Sequence, residues 1–99
     1  MVNMLGEKLK ELREAKGLVQ RQVAAELEVD TAYISKMENS EKPVNRLHIK
    51  KLAKIYGVTE KDLLPLWLAD KISLTIDENP YGIEALKLVL NKLEDDKSE

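Results

Sequence analysis

Side chains that could carry out catalysis or hold a metal are scarce in this sequence. It contains no cysteine and a single histidine, His48. A thiolate nucleophile, a disulfide and a histidine-rich metal site are therefore excluded. The Asp and Glu residues are scattered rather than grouped at the spacings that metal binding or general acid–base catalysis needs. We expect no enzymatic activity, no metal, no cofactor and no small-molecule ligand.

The most informative pattern of residue types lies in the segment 17–38. Apolar residues at helical spacing predict two short helices about three residues apart, with inward positions Val23, Ala24 and Leu27 on the first and Ile34 and Met37 on the second. The outward positions of the second helix are small or polar and include one cation, namely Thr31, Ala32, Ser35 and Lys36. Such side chains reach base edges in a major groove. The pattern therefore predicts a helix-turn-helix.

The elements that must position this segment are also helical. Apolar stripes and capping residues predict five helices. The first covers about 3–16 and ends at Gly17, and the second covers about 20–28. The third follows Asp30, the fourth runs from Asn45 to Gly57, and the fifth starts at Thr59. No strand pattern occurs in the first 64 residues. The predicted fold class is all-α, a compact bundle of five helices in residues 1–64.

Residues 65–99 are predicted to form a separate helical extension. Pro65 suits the first turn of a new helix better than the interior of an old one. Residues 72–76 alternate like a strand, but helical spacing fits them too and a lone strand would lack a partner, so a helix is favoured. Asn79 and Pro80 predict the start of a last helix that runs to about Glu94.

The charge distribution is uneven. The net charge is −2, yet residues 1–60 contain 11 Lys and Arg against 9 Asp and Glu, and residues 61–99 contain 5 against 9. The stretch 36–54 contains 6 basic and 2 acidic residues, which is a local basic surface of the kind that binds phosphates. No apolar run approaches the roughly 18 residues that span a bilayer, and the N-terminus becomes charged too early for a signal peptide. We expect a cytoplasmic protein.

The residues from Met4 to Leu64 resemble the lambda-repressor-like, Xre/Cro-type DNA-binding family. The matching positions are Leu12-Arg13-Glu14, Gly17-Leu18, Gln20, Val23-Ala24, Leu27, Val29, Tyr33 to Glu38, Leu52-Ala53, Tyr56-Gly57-Val58 and Leu63-Leu64. The resemblance implies a five-helix DNA-binding bundle in a bacterial transcription regulator that acts as a homodimer on a two-fold symmetric operator. Three departures are Glu28, where the turn usually has glycine, Val19, where Thr or Ser usually caps the second helix, and Ser40, where glycine is common after the third helix.

The resemblance also implies roles for individual residues. It assigns base reading to Thr31, Ala32 and Lys36, and phosphate contact to Gln20, Asn39, Lys42 and Arg46. It assigns a structural ion pair between the first and third helices to Arg13 and Glu38.

The last predicted helix has the features of a dimerisation element. Its apolar residues Ile83, Leu86, Leu90 and Leu93 recur at the 3-4-3 spacing of paired helices. Ala85 and Val89 widen this stripe on one side, and Val89 is counted with the dimerisation residues. Because the stripe is wider than a two-helix contact needs, we expect one edge to dock on its own subunit near Trp67 and Leu68 and the other to meet a partner.

Two classes of function fit these features. The first is a sequence-specific transcription regulator, including a controller of a restriction–modification operon or an antitoxin. The second is a helical adaptor that binds proteins and has no sequence-specific contact with DNA. The outward face of the third helix favours the regulator because it carries no carboxylate.

Overall fold

The computed structural model describes residues 4–39 and 41–97, and these form six helices and no strand. Their bounds are α1 Met4–Ala15, α2 Gln20–Leu27, α3 Thr31–Glu38, α4 Arg46–Tyr56, α5 Glu60–Ile76 and α6 Gly82–Lys97. The predicted all-α fold class is confirmed. Asn3, the expected start of the first helix, and Ser40, which stands where glycine is common, both lie outside the described residues.

Three helices end on a residue in the left-handed conformation. Gly17, Glu28 and Gly57 follow α1, α2 and α4 with φ angles of 68°, 60° and 69°. After α2, the Glu28 N–H donates to the Ala25 carbonyl (3.3 Å) and the Val29 N–H donates to the Ala24 carbonyl (3.0 Å). This pair of bonds satisfies carbonyls that the helix end leaves open. The two glycines were predicted from the sequence, whereas Glu28 adopts the same conformation with a full side chain.

The hydrophobic core is enclosed by the first five helices, α1 to α5. Thirteen buried side chains form it, and all but one of them belong to these helices: Leu5, Leu9, Val23, Ala24, Leu27, Ile34, Met37, Val44, Ile49, Leu52, Ala53, Tyr56 and Leu63. Trp67 packs against this core from α5, and its indole N–H donates to the Val44 carbonyl at 2.9 Å.

The expectation that a new helix starts at Pro65 is wrong, because α5 runs without interruption from Glu60 to Ile76. Pro65 removes the hydrogen bond that its amide would give to the Lys61 carbonyl. Both residues are exposed, so water can satisfy that carbonyl. The favoured helical state of residues 72–76 is confirmed, since they form the last part of α5.

Asp70 holds this extended helix to the start of the chain. Its carboxylate oxygens accept hydrogen bonds from the backbone N–H groups of Met4 (2.8 Å) and Leu5 (3.0 Å), in the first turn of α1. A carboxylate at a helix N-terminus is favourable because it satisfies open N–H groups and meets the positive end of the helix dipole.

The expectation that α6 docks on its own subunit near Trp67 and Leu68 is wrong. Gly82 is the only buried residue of α6, and Leu68 is 53% exposed. The corner before α6 explains the difference: a side chain at Gly82 would lie only 2.7 Å from the Ile76 carbonyl oxygen. The backbone of the two helices therefore meets at the corner itself, and α6 points away from the bundle.

Candidate nucleic-acid interface

The α2–α3 pair forms the helix-turn-helix. The two helices are separated by Glu28, Val29 and Asp30. Ala24, in the middle of α2, is 2% exposed and allows the backbones to approach closely. The inward side chains of α3 are Ile34 and Met37, both buried in the core. This packing leaves the opposite side of α3 at the surface.

The exposed side of α3 is free of carboxylates. At 100° per residue, the surface side chains occupy an arc about 140° wide, made of Thr31, Ala32, Ser35, Lys36 and Asn39. All of these are exposed except Ser35, which is half-buried. The one acidic residue of α3, Glu38, lies beside the Thr31 edge of this arc, but it is 4% exposed and its carboxylate is bound by Arg13. The arc is therefore electrostatically open to an anionic surface.

Of the residues predicted to hold phosphates, Asn39 belongs to this arc, and the others lie in the chain segments next to α3. Asn39 and Lys42 lie just after α3, where the Glu41 and Lys42 N–H groups donate to the Lys36 carbonyl (2.9 and 3.3 Å) and fold the chain back on the helix end. Arg46 begins α4 and is exposed, as is Lys42.

Arg46 is brought to α3 by a small polar network. The Tyr33 hydroxyl accepts a hydrogen bond from the Asn45 backbone N–H (3.2 Å) and lies 3.1 Å from His48 Nδ1. The Tyr33 and His48 rings also meet edge to face, with centroids 5.5 Å apart. Asn45 in turn caps α4, because its side-chain oxygen accepts from the Leu47 N–H at 2.9 Å. The sequence indicates the Asn45 cap but not its link to Tyr33, which spans 12 residues.

Gln20 lies at the start of α2 and is half-buried. Its amide nitrogen donates to Glu38 Oε1 at 3.0 Å, a contact that the sequence does not reveal. An amide nitrogen carries two hydrogens, so this contact leaves a second one for a phosphate oxygen. The bond also fixes the direction of the Gln20 side chain.

Arg13 of α1 and Glu38 of α3 form a two-pronged ion pair. Arg13 Nε and Nη2 donate to the two carboxylate oxygens of Glu38 (2.8 and 3.1 Å), and Nη1 donates to the Leu18 carbonyl (2.9 Å). The side chains are only 12% and 1% exposed. The hydrogen bond to Glu38 raises the pKa of Arg13, and burial, with the Glu38 charge, raises the pKa of Tyr56 to about 12. The pair links α1 to α3, so it stabilises the position of α3 in the bundle.

Within residues 4–39 and 41–97, no group of three or more His, Cys, Asp and Glu is arranged to hold a metal. None of the helices in these ranges is long and apolar enough to cross a membrane.

A family model described as a helix-turn-helix domain matches residues 4–66. The match covers well over half of the chain and includes α1 to α4 with the first part of α5. Comparisons with curated proteins and with solved structures gave no match. The relationship that the sequence predicted is confirmed at the level of the helix-turn-helix family.

Proposed function

The chain belongs to the helix-turn-helix domain family, and from that premise we propose that it is a sequence-specific transcription regulator that binds a two-fold symmetric operator as a homodimer. The observation that carries this proposal is the exposed side of α3, which is small, polar and free of acid over about 140°. It is flanked by the exposed cations Lys42 and Arg46. A regulator of this kind acts where the DNA is, which in a bacterium is the cytoplasm.

Base reading is assigned to the α3 arc. Lys36 lies in the second turn of α3, exposed, and its ammonium group suits the O6 and N7 acceptors of guanine. The Ala32 methyl group, one turn earlier, suits the methyl group of thymine, and the Thr31 hydroxyl can donate or accept. These three contacts supply specificity.

Phosphate contact is assigned to Gln20, Asn39, Lys42 and Arg46. They lie at the start of α2, after α3 and at the start of α4, so they would hold the DNA backbone on both sides of the groove that α3 enters. Phosphate contacts set position and affinity but carry no direct sequence information.

The homodimer is supported by the length of DNA that one recognition helix covers. A two-fold operator presents half-sites about 34 Å apart, so a second copy must be held at a fixed distance. The exposed apolar residues of α6 are assigned to that role: Ile83, Leu86, Val89, Leu90 and Leu93 are 40–70% exposed. The regulated operon, whether one that encodes restriction and modification enzymes or a toxin, is identified by the neighbouring genes.

Selection of bound DNA from a random pool tests the proposal. We expect a consensus with two-fold symmetry, whose complex weakens steeply as salt rises because cations are released from the phosphates. Recovery of no preferred sequence would contradict the regulator and favour the protein-binding adaptor.

Two lysine variants separate base reading from phosphate contact. Lys36→Ala should weaken binding to the selected site by about 1–3 kcal/mol and relax one base pair per half-site, with little effect on scrambled DNA. Lys42→Ala should weaken binding to both DNAs alike and reduce the salt slope by about 1. Lys87→Ala, on α6, is the matched control and should change neither. An equal loss on both DNAs for Lys36→Ala would assign that residue to a phosphate.

A further inference from the structure

The apolar surface of this chain is concentrated in its last third. Thirteen large hydrophobic side chains are exposed in the described residues, and ten of them lie between Leu68 and Leu93. The other three, Met4, Val19 and Leu47, are far apart in the sequence. Scattered exposed apolar residues are normal, whereas a concentration of this kind marks an interaction site.

Seven of these ten side chains form two separate surfaces. The first is the α6 face, defined as Ile83, Leu86, Val89, Leu90 and Leu93, which spans an arc about 120° wide. The second is the α5 face, defined as Leu68 and Ile72, one turn apart and 53% and 40% exposed. Neither face is covered by its own chain. A helix in a protein gains most of its stability from the packing of its apolar face, so α6 needs a partner.

The corner between the helices prevents the two faces from closing on each other within one chain. Glu78 has a φ of 61°, the Asn79 N–H donates to the Ile76 carbonyl (3.1 Å), and the Asn79 side-chain oxygen accepts from the Tyr81 N–H (2.9 Å). Gly82 packs against Ile76 so closely that a Cβ atom would not fit. Folding α6 back onto its own α5 would require these contacts to be rebuilt.

The α5 face is held in a fixed place relative to the DNA-binding bundle. Asp70 lies between Leu68 and Ile72 in the sequence, and its carboxylate accepts hydrogen bonds from the first described amides of α1. On the neighbouring side Lys71 lies over the Trp67 ring at 4.2 Å. A docking site on this part of α5 is therefore rigid, as a spacer between two recognition helices must be.

We propose that two copies of this chain exchange their last helices, so that the α6 face of each copy lies on the α5 face of the other. The inference rests on the homodimer of the proposed function and specifies how it is built. Both complementary surfaces are present in one chain and are kept apart there. In a two-fold dimer each contact occurs twice. A simple α6–α6 pairing would make one contact and leave Leu68 and Ile72 uncovered.

The doubling matters for the size of the interface. A stable complex buries about 800 Å² on each partner, and α6 is only about 24 Å long at 1.5 Å per residue. Exchange adds the exposed apolar surface of α5 to that of α6 in both copies. Three exposed side chains are not explained by this arrangement: Leu88, on the opposite side of α6 and 67% exposed, Leu74, 54% exposed, and Tyr81, 70% exposed.

Cross-linking between cysteine variants tests the exchange, because the natural chain has no cysteine. An Ile72→Cys chain is mixed with a longer, tagged Leu86→Cys chain, and a short bismaleimide is added after the subunits have re-equilibrated. We expect a covalent product whose size corresponds to one chain of each kind. The matched control replaces Leu86→Cys by Lys87→Cys, the adjacent residue on the polar side of α6, and should give much less of that product.

A single chain that carries both Ile72→Cys and Leu86→Cys distinguishes exchange from closure. Exchange predicts cross-linked dimers, and cross-linking within one chain would overturn it. Cross-links confined to pairs of Leu86→Cys chains would also overturn the exchange but leave the homodimer in place.

Sedimentation equilibrium supplies a second readout without cross-linking. Ile72→Asp should weaken the dimer about tenfold or more, because exchange buries that position against the partner, while folding is checked by circular dichroism. A dimer unchanged by Ile72→Asp would refute the exchange. A parent chain that stays monomeric at tens of micromolar would refute both exchange and homodimer. DNA binding by the parent is measured in parallel, so that a failure of the proposed regulator is seen separately.

Discussion

Replacing Glu28 by glycine should stabilise the protein. Glu28 has φ 60° and ψ 45°, a left-handed conformation that costs a residue with a side chain about 1–2 kcal/mol. Glycine adopts it without that cost but loses about 0.5–1 kcal/mol more conformational entropy on folding. The ion pair with Lys51 that the change removes is 3.8 Å long and exposed on both sides, so it contributes close to nothing. The centres of these two ranges differ by about 0.75 kcal/mol, so the expected net gain is about 0.5–1 kcal/mol.

Thermal unfolding measures this gain. For a domain of this size about 1 kcal/mol corresponds to 4–8 °C, so Glu28→Gly should raise Tm by about 2–8 °C at a fixed protein concentration. Glu28→Ala keeps the strained conformation and removes only the carboxylate, so it should melt near the parent. Gly17→Ala is the reverse change: φ is 68° and an added Cβ would touch nothing within 4 Å, so only strain lowers its stability. A Glu28→Gly variant that melts at or below the Glu28→Ala variant would refute the reasoning.

Three further changes test the contacts that hold the bundle together. Glu38→Ala should destabilise the fold by about 3 kcal/mol, because it leaves the buried Arg13 charge without its partner. Replacing both Arg13 and Glu38 by apolar residues should recover much of that loss. Urea unfolding of Glu38→Ala equal to that of the parent would contradict a structural ion pair. Asp70→Ala should cost about 1–2 kcal/mol through the lost cap of α1, and Asp70→Asn less; identical melts for Asp70→Ala and the parent would show that the cap contributes nothing. Hydrogen bonds from the Thr59 backbone N–H and hydroxyl hold the pKa of Asp62 below its usual value, so the stability from this cap is present above the unfolded pKa of about 4 and is lost as pH falls through the folded pKa. The pH series of Asp62→Asn should therefore fall less steeply in acid than that of the parent, and parallel curves would contradict the role of Asp62.

The five helices of the bundle could be predicted because their signals are local. Apolar residues three and four apart place Leu5, Leu9 and Ile49 in the core, and Gly17 and Gly57 end their helices where the sequence indicates. The continuation of α5 through Pro65 could not be predicted in this way. It depends on the exposure of the freed carbonyl and on packing on both sides of the proline, which only the assembled fold determines.

The exposed arc of α3 was predictable for the same reason, since helical periodicity alone separates Lys36 from Ile34 and Met37. The contacts that orient α3 could not be predicted from the sequence in this way. The hydrogen bond between the Tyr33 hydroxyl and the Asn45 amide joins residues 12 positions apart. The Asp70 cap of α1 joins residues 65 and 66 positions apart. No local spacing indicates such pairs. The direction in which α6 leaves the bundle cannot be predicted from local spacing either, because it depends on the close backbone contact between Gly82 and Ile76.

These long-range contacts connect the extension to the recognition helix. Trp67 of α5 binds the Val44 carbonyl, the next residue, Asn45, binds the Tyr33 hydroxyl, and Tyr33 belongs to α3. A two-residue link therefore joins the helix that bears the α5 face to the helix assigned to the bases. Because the half-sites of a two-fold operator have a fixed separation, any partner that docks on α5 sets the position of α3 through this link. In the proposed homodimer, the geometry of residues 65–97 would therefore set the half-site spacing that two copies read.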